Sequence, residues 1–399
     1  HLALLMAPLI GTAPGLADTL ARTRQVMDAL VEPHFFGILP DEAALSQRLQ
    51  LALAQARYDE DLLERIRMFG LEHMFLIGVR IITGTVTAAQ AGETFAKLAD
   101  IVIRAVHRAV ADNFAQAYGH LRSEASAVLA LGKLGGNEMT ATSDLDLIVV
   151  YDFDDTNPES DGARSLYGAQ YFARLTQRLI NALTAQTNYG ALYQVDMRLR
   201  PSGRSGPVAT QITGFSDYQD REAWTWEHMA LTRARVVSAS PDFAKRVQDI
   251  IAQTLRKPRD MELIAGDVVE MRGAIAMEKG DGNRWDIKYA AGGLIDIEFI
   301  AQYLQLIHAH EKPGILDTST ARVLDKARAL GLLSVENAEV LRPAVRLYQA
   351  LTQILRLCLP GPFDPKKAGP DLLRLLARAA DVPDFASVEA TLADTQTKV

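Results

Sequence analysis

One run constrains this chain more than any other: Gly132-Lys133-Leu134-Gly135-Gly136-Asn137-Glu138-Met139-Thr140-Ala141-Thr142-Ser143-Asp144-Leu145-Asp146, followed at once by Leu147-Ile148-Val149-Val150. An uninterrupted aliphatic stretch of this kind reads as a buried strand. Alternate side chains of a strand share a face, so Asp144 and Asp146 point the same way from its start. Two carboxylates there are costly unless something neutralises them. A hard divalent cation does so, since Mg²⁺ takes carboxylate oxygens together with waters and substrate phosphates. The double glycine at 135 and 136 lets backbone N–H groups approach a phosphate chain without a Cβ in the way. Taken singly, an Asp-x-Asp pair reads as a solvated strand end and a Gly-Gly pair as a turn. Their conjunction describes a site for a metal-bound nucleotide.

A third carboxylate is expected from a neighbouring strand, and Asp196 offers it in Val195-Asp196-Met197-Arg198-Leu199-Arg200-Pro201. Here Val195, Met197 and Leu199 alternate with Asp196, Arg198 and Arg200, so one face carries an acid and two arginines. That face suits metal ligation by Asp196 and phosphate neutralisation by Arg198 and Arg200; the plainer alternative is a strand with one wet, salt-bridged side. Lys133 and Arg204 are further phosphate candidates, with ordinary surface charge as the alternative. Glu138 is expected either to brace the glycine turn through backbone N–H groups or to face solvent.

Around this centre the texture is helical. Apolar residues recur at helical spacing from Leu16 to about His120, as in Leu62, Leu63, Ile66 and Phe69, and again beyond roughly Asp242. Between them lie three β-rich runs, 127–131, 147–151 and 192–196, with a helical stretch over 166–187. A net charge of -7 supplies no basic field, which argues against nucleic acid as a partner. The single cysteine, Cys358, allows no internal disulfide, and no Cys/His cluster offers a zinc site, so a reducing, cytoplasmic setting is expected. The apolar stretch from Leu2 to Leu16 is too short and too broken by Pro8, Gly11, Pro14 and Gly15 to span a membrane. The chain opens on His1, which suggests a piece of something longer, and both ends are treated as arbitrary.

Strand, Gly-Gly, short connection, Ser-Asp-x-Asp and aliphatic strand together resemble the polymerase-β-like nucleotidyltransferase fold. The expected class is therefore α+β and mostly α-helical: an N-terminal helical region (1–120), a nucleotidyltransferase catalytic domain (121–245) and a C-terminal helical bundle (246–399). Four motifs, namely Gly132-Lys133-Leu134-Gly135-Gly136-x-Glu138, Ser143-Asp144-Leu145-Asp146-Leu147, Val195-Asp196-x-Arg198-Leu199-Arg200-Pro201 and Asp286-Ile287-Lys288…Gly292-Gly293…Asp296-Ile297-Glu298-Phe299, occur in the order found in the glutamine synthetase adenylyltransferases. Asn137 and Met139 depart from the basic and leucine residues of that family.

The family resemblance implies a fusion of two similar halves, one attaching AMP to glutamine synthetase and one removing it by phosphorolysis. Arg200-Pro201-Ser202-Gly203 and Glu222-Ala223-Trp224-Thr225-Trp226-Glu227-His228 followed by Arg233-Ala234-Arg235 resemble the attaching half. It further implies ATP as substrate, catalytic metals on Asp144, Asp146 and Asp196, nucleotide contacts from Lys133, Gly135, Gly136, Ser143, Arg198 and Arg200, and the PII signal protein and glutamine as regulators. Trp224 and Trp226 are expected mainly to pack a helix, with Arg233 and Arg235 lining the cleft. Lys288 is expected to pair with Asp296 or Glu298. The alternatives are the removing half, or a non-catalytic module binding glutamine synthetase or PII. A PII uridylyltransferase would carry a metal hydrolase marked by His-Asp, and none of the eight histidines is followed by aspartate.

Overall fold

The computed structural model describes residues 12–16, 39–187 and 189–399. Most of the apolar opening stretch lies outside the described residues; among those described, no helix is long and apolar enough to cross a membrane. The described residues from 39 to 120 are mostly helical, in line with the expectation there, with α1 (Glu42–Leu53) lying on a hairpin of α2 (Asp59–Thr83) and α3 (Ala88–Tyr118). Local chemistry sets the corner. Gly84 ends α2 at φ +72°, a left-handed cap open to glycine, and Thr87 starts α3 by trading hydrogen bonds with Gln90 at 2.9 and 3.2 Å.

A small mixed sheet follows, its first two strands linked through the one-turn helix α4 (Gly132–Gly135). β1 (Ala125–Ala130) and β2 (Leu145–Asp152) pair antiparallel from Ala125↔Asp152 to Ala130↔Leu147. β5 (Arg235–Ser238) covers the far edge of β1, while β3 (Val195–Asp196) and β4 (Thr210–Gln211) run parallel to β2 at its two ends. The first two expected strands are present, but the run 192–196 is a strand only at its last two residues. β4 and β5 have no counterpart in the expectation, because two or four residues carry no readable alternation.

Both faces of the sheet are buried. Val128, Leu147, Val149 and Tyr151 pack toward α3 and α5 (Gly168–Thr184), whose Phe172 stacks on Tyr151 with ring centroids 4.4 Å apart. On the other face Leu129, Ile148 and Val150 meet Ile212 and Phe215 of α6 (Ile212–Arg221), Met229 of α7 (Thr225–Leu231) and Val247 of α8 (Pro241–Leu255). Helix α8 straddles residue 245 and packs on β1 and β5, so the sheet's cover runs on into the segment expected to open the bundle.

The remaining helices are α9 (Met261–Lys279), α10 (Leu294–His308), α11 (Thr320–Ala329), α12 (Val335–Cys358), α13 (Pro370–Ala379) and α14 (Phe385–Lys398). Helix α12 reaches back onto α2 and α3. One hydrophobic cluster therefore links Phe95 and Val102 of the N-terminal hairpin, Val128 and Val149 of the sheet, and Tyr348 and Leu392 of the bundle. The architecture is mostly helical α+β, with the sheet enclosed between the helical parts.

Candidate active site

The cleft forms where β2 begins. Thr140 N–H donates to Ser143 Oγ at 2.9 Å and Ser143 N–H returns to Thr140 O at 3.1 Å, a tight turn that delivers Asp144 to the strand. The register then sets Asp146 directly opposite Asp196 on parallel β3. Asp144, Asp146, Asp196 and Ser143 line one cleft of about 820 Å³ between the sheet and the bundle. Burial pushes the Asp146 carboxyl up to about 6, and the charges of Asp144 and Asp196 push the same way. Burial alone would raise Asp196 as well. That effect is outweighed by Arg198, whose backbone N–H and Nε bind the carboxylate at 2.8 and 2.7 Å and hold it below the usual range.

A cationic set shares the cleft with these acids. Lys133, Arg198, Arg233, Lys288 and Arg356 line the same cleft, with Glu298 among them. Burial pushes Lys133 down to about 8, with Lys288 adding repulsion and Glu298 opposing it. Burial would lower Lys288 too, yet Glu298, Tyr289 and Asp146 together keep it above its ordinary value.

Several expectations need correction. Gly135 and Gly136 are buried and their N–H groups are spent on Leu131 O and Gly132 O, so they cradle nothing in the cleft. What they permit is close packing of Arg233: a Cβ at 135 would strike its backbone carbonyl and one at 136 its guanidinium. The glycine that borders the acids is Gly132, at φ +53°, where a Cβ would collide with Asp146 Oδ2. Arg200 does not reach the cleft. The chain turns after Met197, and Arg200 braces that turn through Met197 O at 2.8 Å and Pro207 O at 3.0 Å. The alternation of acid and arginines therefore ends at Arg198. Arg204 is exposed and lies outside the cleft lining.

Arg233 lines the cleft but is buried and held by Glu138 at 2.6 Å and Glu298 at 3.0 Å. Arg235 instead grips Asp100 of α3 at 2.6 and 2.8 Å. Glu138 braces no glycine turn; it accepts the Thr320 N–H at 2.9 Å and so caps α11. Lys288 makes no ion pair with Asp296 or Glu298, because Arg272 takes Asp296 and Arg233 takes Glu298. Trp224 is 70% exposed and cannot be a core anchor, while Trp226 lines the cleft. Sequence reasoning missed Gly132, whose place just after a strand was a usable signal, and Arg356, which had none.

Among the described residues no three acidic or histidine groups stand, as they lie, as a ready cage for a metal. The local reason is that Asp196 is turned onto Arg198. The donor chemistry nonetheless fits a hard divalent cation. Asp144 and Asp146 offer only carboxylate oxygens, and Asp146, raised by burial and then by the charges of Asp144 and Asp196, would be relieved by a cation.

Comparison with known proteins agrees on one kinship. A family profile described as Glutamate-ammonia ligase adenylyltransferase matches residues 4–250, and one described as GlnD PII-uridylyltransferase matches residues 270–359, within the bundle. Proteins named bifunctional glutamine synthetase adenylyltransferase/adenylyl-removing enzyme from Rhodopseudomonas palustris and Bradyrhizobium diazoefficiens are 58% and 57% identical over 395 residues, and one from Xanthobacter autotrophicus is 57% identical over 396. Each alignment covers 99% of this chain but 40% of the relative, so the chain spans less than half the length of the proteins it matches. With the profile covering more than half of its residues, the chain belongs to the glutamate-ammonia ligase adenylyltransferase family.

Proposed function

We propose that this chain is the adenylylating half of such an enzyme, built on a polymerase-β-like nucleotidyltransferase fold, and that it transfers AMP from ATP to a tyrosine of glutamine synthetase. The observation that carries the reading is the pairing of Asp146 with Asp196 beside Asp144, in one cleft with a set of cations. Support for the attaching direction comes from Arg200-Pro201-Ser202-Gly203 and from the tryptophan segment before Arg233. In this reading residues 121–245 carry the chemistry and the flanks 1–120 and 246–399 close over it. The PII protein, glutamine as an effector and a cytoplasmic setting belong to the same proposal.

Asp144, Asp146 and Asp196 would hold Mg²⁺, which when bound lowers the pKa of the attacking hydroxyl and neutralises charge on the departing phosphates. The chain's own groups do the rest. Gly132 leaves room for the Asp146 carboxylate itself to sit against the turn. Lys133 and Arg198 meet the phosphates. The tyrosine oxygen bonds to the α-phosphorus as the bond to the α–β bridging oxygen breaks, and pyrophosphate leaves with that electron pair. Asp196, kept ionised by Arg198, takes the phenolic proton and passes it to water.

The test is transfer of α-labelled AMP from ATP to glutamine synthetase. Asp144→Asn should abolish transfer with an unchanged circular dichroism spectrum; near-normal transfer by that variant sinks the assignment. Release of ADP from adenylylated glutamine synthetase and phosphate, without forward transfer, would assign the removing half. An absence of magnesium-dependent nucleotide binding in calorimetry would assign a non-catalytic module.

A further inference from the structure

The Asp286-Ile287-Lys288…Gly292-Gly293 segment precedes α10, far in sequence from the aspartates, yet it delivers Lys288 to their cleft. The segment is rigidly built. Trp285 stacks on Phe385 with centroids 4.7 Å from Phe363 and 5.4 Å from Phe385, Leu294 N–H returns to Ile287 O at 2.8 Å, and Ile295 N–H returns to Lys288 O at 3.1 Å. Gly292 sits at φ +69° against the Gln396 carbonyl, where no Cβ fits, and its own carbonyl accepts Tyr348 Oη–H at 2.6 Å. So much support for one short loop implies that the position of its side chain matters.

Lys288 does not stand alone. Lys133 from the turn after β1 and Arg356 from the last turn of α12 line the same cleft, and both Lys288 and Arg356 bear electrostatically on Lys133. Among the described residues none of the three is ion-paired to a carboxylate; Glu298, the acid nearest in effect, is taken by Arg233. Two of the three are half-buried and Lys288 lies over the Tyr289 ring at 5.0 Å, yet no carboxylate of the described residues pairs with any of them, which leaves the set open to a polyanion. The same cleft carries the three aspartates. A ligand matching both sets of side chains is anionic along its length and can carry a divalent cation at the aspartates.

We infer that Lys133, Lys288 and Arg356 form a polyphosphate subsite that grips the β- and γ-phosphates of the nucleotide and the pyrophosphate that leaves, with two of its three cations supplied by the helical bundle. The inference rests on the nucleotidyltransferase reading above, and deepens it by naming what discriminates a triphosphate from a monophosphate. It also makes the cleft composite: the sheet supplies the acids, and the bundle supplies most of the grip on the leaving group.

The test uses the full chain and calorimetric titration with ATP, pyrophosphate and AMP in magnesium buffer, beside the transfer assay. Lys288→Met and Arg356→Gln should each weaken ATP and pyrophosphate binding at least about tenfold, a change typical of one charge-assisted contact, while AMP binding stays within about twofold. Lys288→Arg should recover part of the loss. Arg356 is exposed, so its variant keeps the test sound even if Lys288→Met folds poorly. Pyrophosphate binding by Arg356→Gln and a folded Lys288→Met equal to that of the parent overturns the subsite while leaving the enzyme reading intact. A parent chain that binds no nucleotide overturns both.

Discussion

Glycines three residues apart in one turn serve opposite ends. Gly132 holds a positive φ and borders the Asp146 carboxylate, whereas Gly135 is buried under the backbone of Arg233. Gly132→Ala should therefore cost about 1–3 kcal/mol of local strain, displace the acid, and lower transfer by roughly a hundredfold, about what misplacing a catalytic group costs. Gly135→Ala should mainly cost stability, about 1–3 kcal/mol as overpacking against backbone, read as a lower urea midpoint. Equal effects of the two on folding and transfer would contradict this division. From sequence, the acids were legible because a charged pair before an aliphatic strand is so costly, but the glycines were assigned the wrong neighbours, since what a missing Cβ makes room for depends on residues far along the chain. His107 makes a separate case. It is buried between Ser126 Oγ at 3.0 Å and Ser238 Oγ at 2.9 Å, and burial holds it down to about 4. A histidine whose folded pKa is depressed leaves stability intact above the unfolded value near 6.5 and removes it as pH falls toward 4, by roughly 3 kcal/mol. Urea midpoints across that window should fall more steeply for the parent than for His107→Gln, and parallel curves would refute the assignment.

Elements are joined by a few buried charges. Arg233 follows α7 and reaches both Glu138, which caps α11, and Glu298 on α10. The glycine turn at the cleft is thereby tied to two bundle helices at once. Glu138→Ala removes the cap and half of Arg233's charge balance, so it should destabilise by about 3–5 kcal/mol, the usual cost of breaking a buried pair. Amide hydrogen exchange should quicken first in the opening turn of α11; uniform quickening across the chain would mean the clamp is not local. None of this was readable beforehand, because partners 95 and 65 residues apart leave no periodic trace. By contrast β1 and β2 were legible from their own aliphatic runs. β3 and β4 were not, since two-residue strands exist only through the edge that β2 offers them.

At the scale of the molecule, the three parts expected from sequence texture do not own separate cores. Both faces of the sheet are covered, one by α5 and by α3, which also touches the bundle, the other by α6–α8 together with Ile264 of α9 and Leu306 of α10. Gln353 of α12 donates to Met139 O at 2.7 Å, so a helix near the end of the chain braces the turn that leads into the aspartates. A fragment of residues 121–255 would keep α5 but lose α3 and the bundle from the sheet face that holds Val128 and Val149, and would have little left to offset its chain entropy. It should show no cooperative melt and no dispersed amide spectrum, while the full chain should lose sheet and helix in one transition. A fragment that melts cooperatively would mean that the catalytic unit is autonomous. Since the same bundle supplies Lys288 and Arg356 to the cleft, any ligand or partner that shifts the bundle on the sheet must alter the cations that share the cleft with the aspartates as well as the stability of the whole.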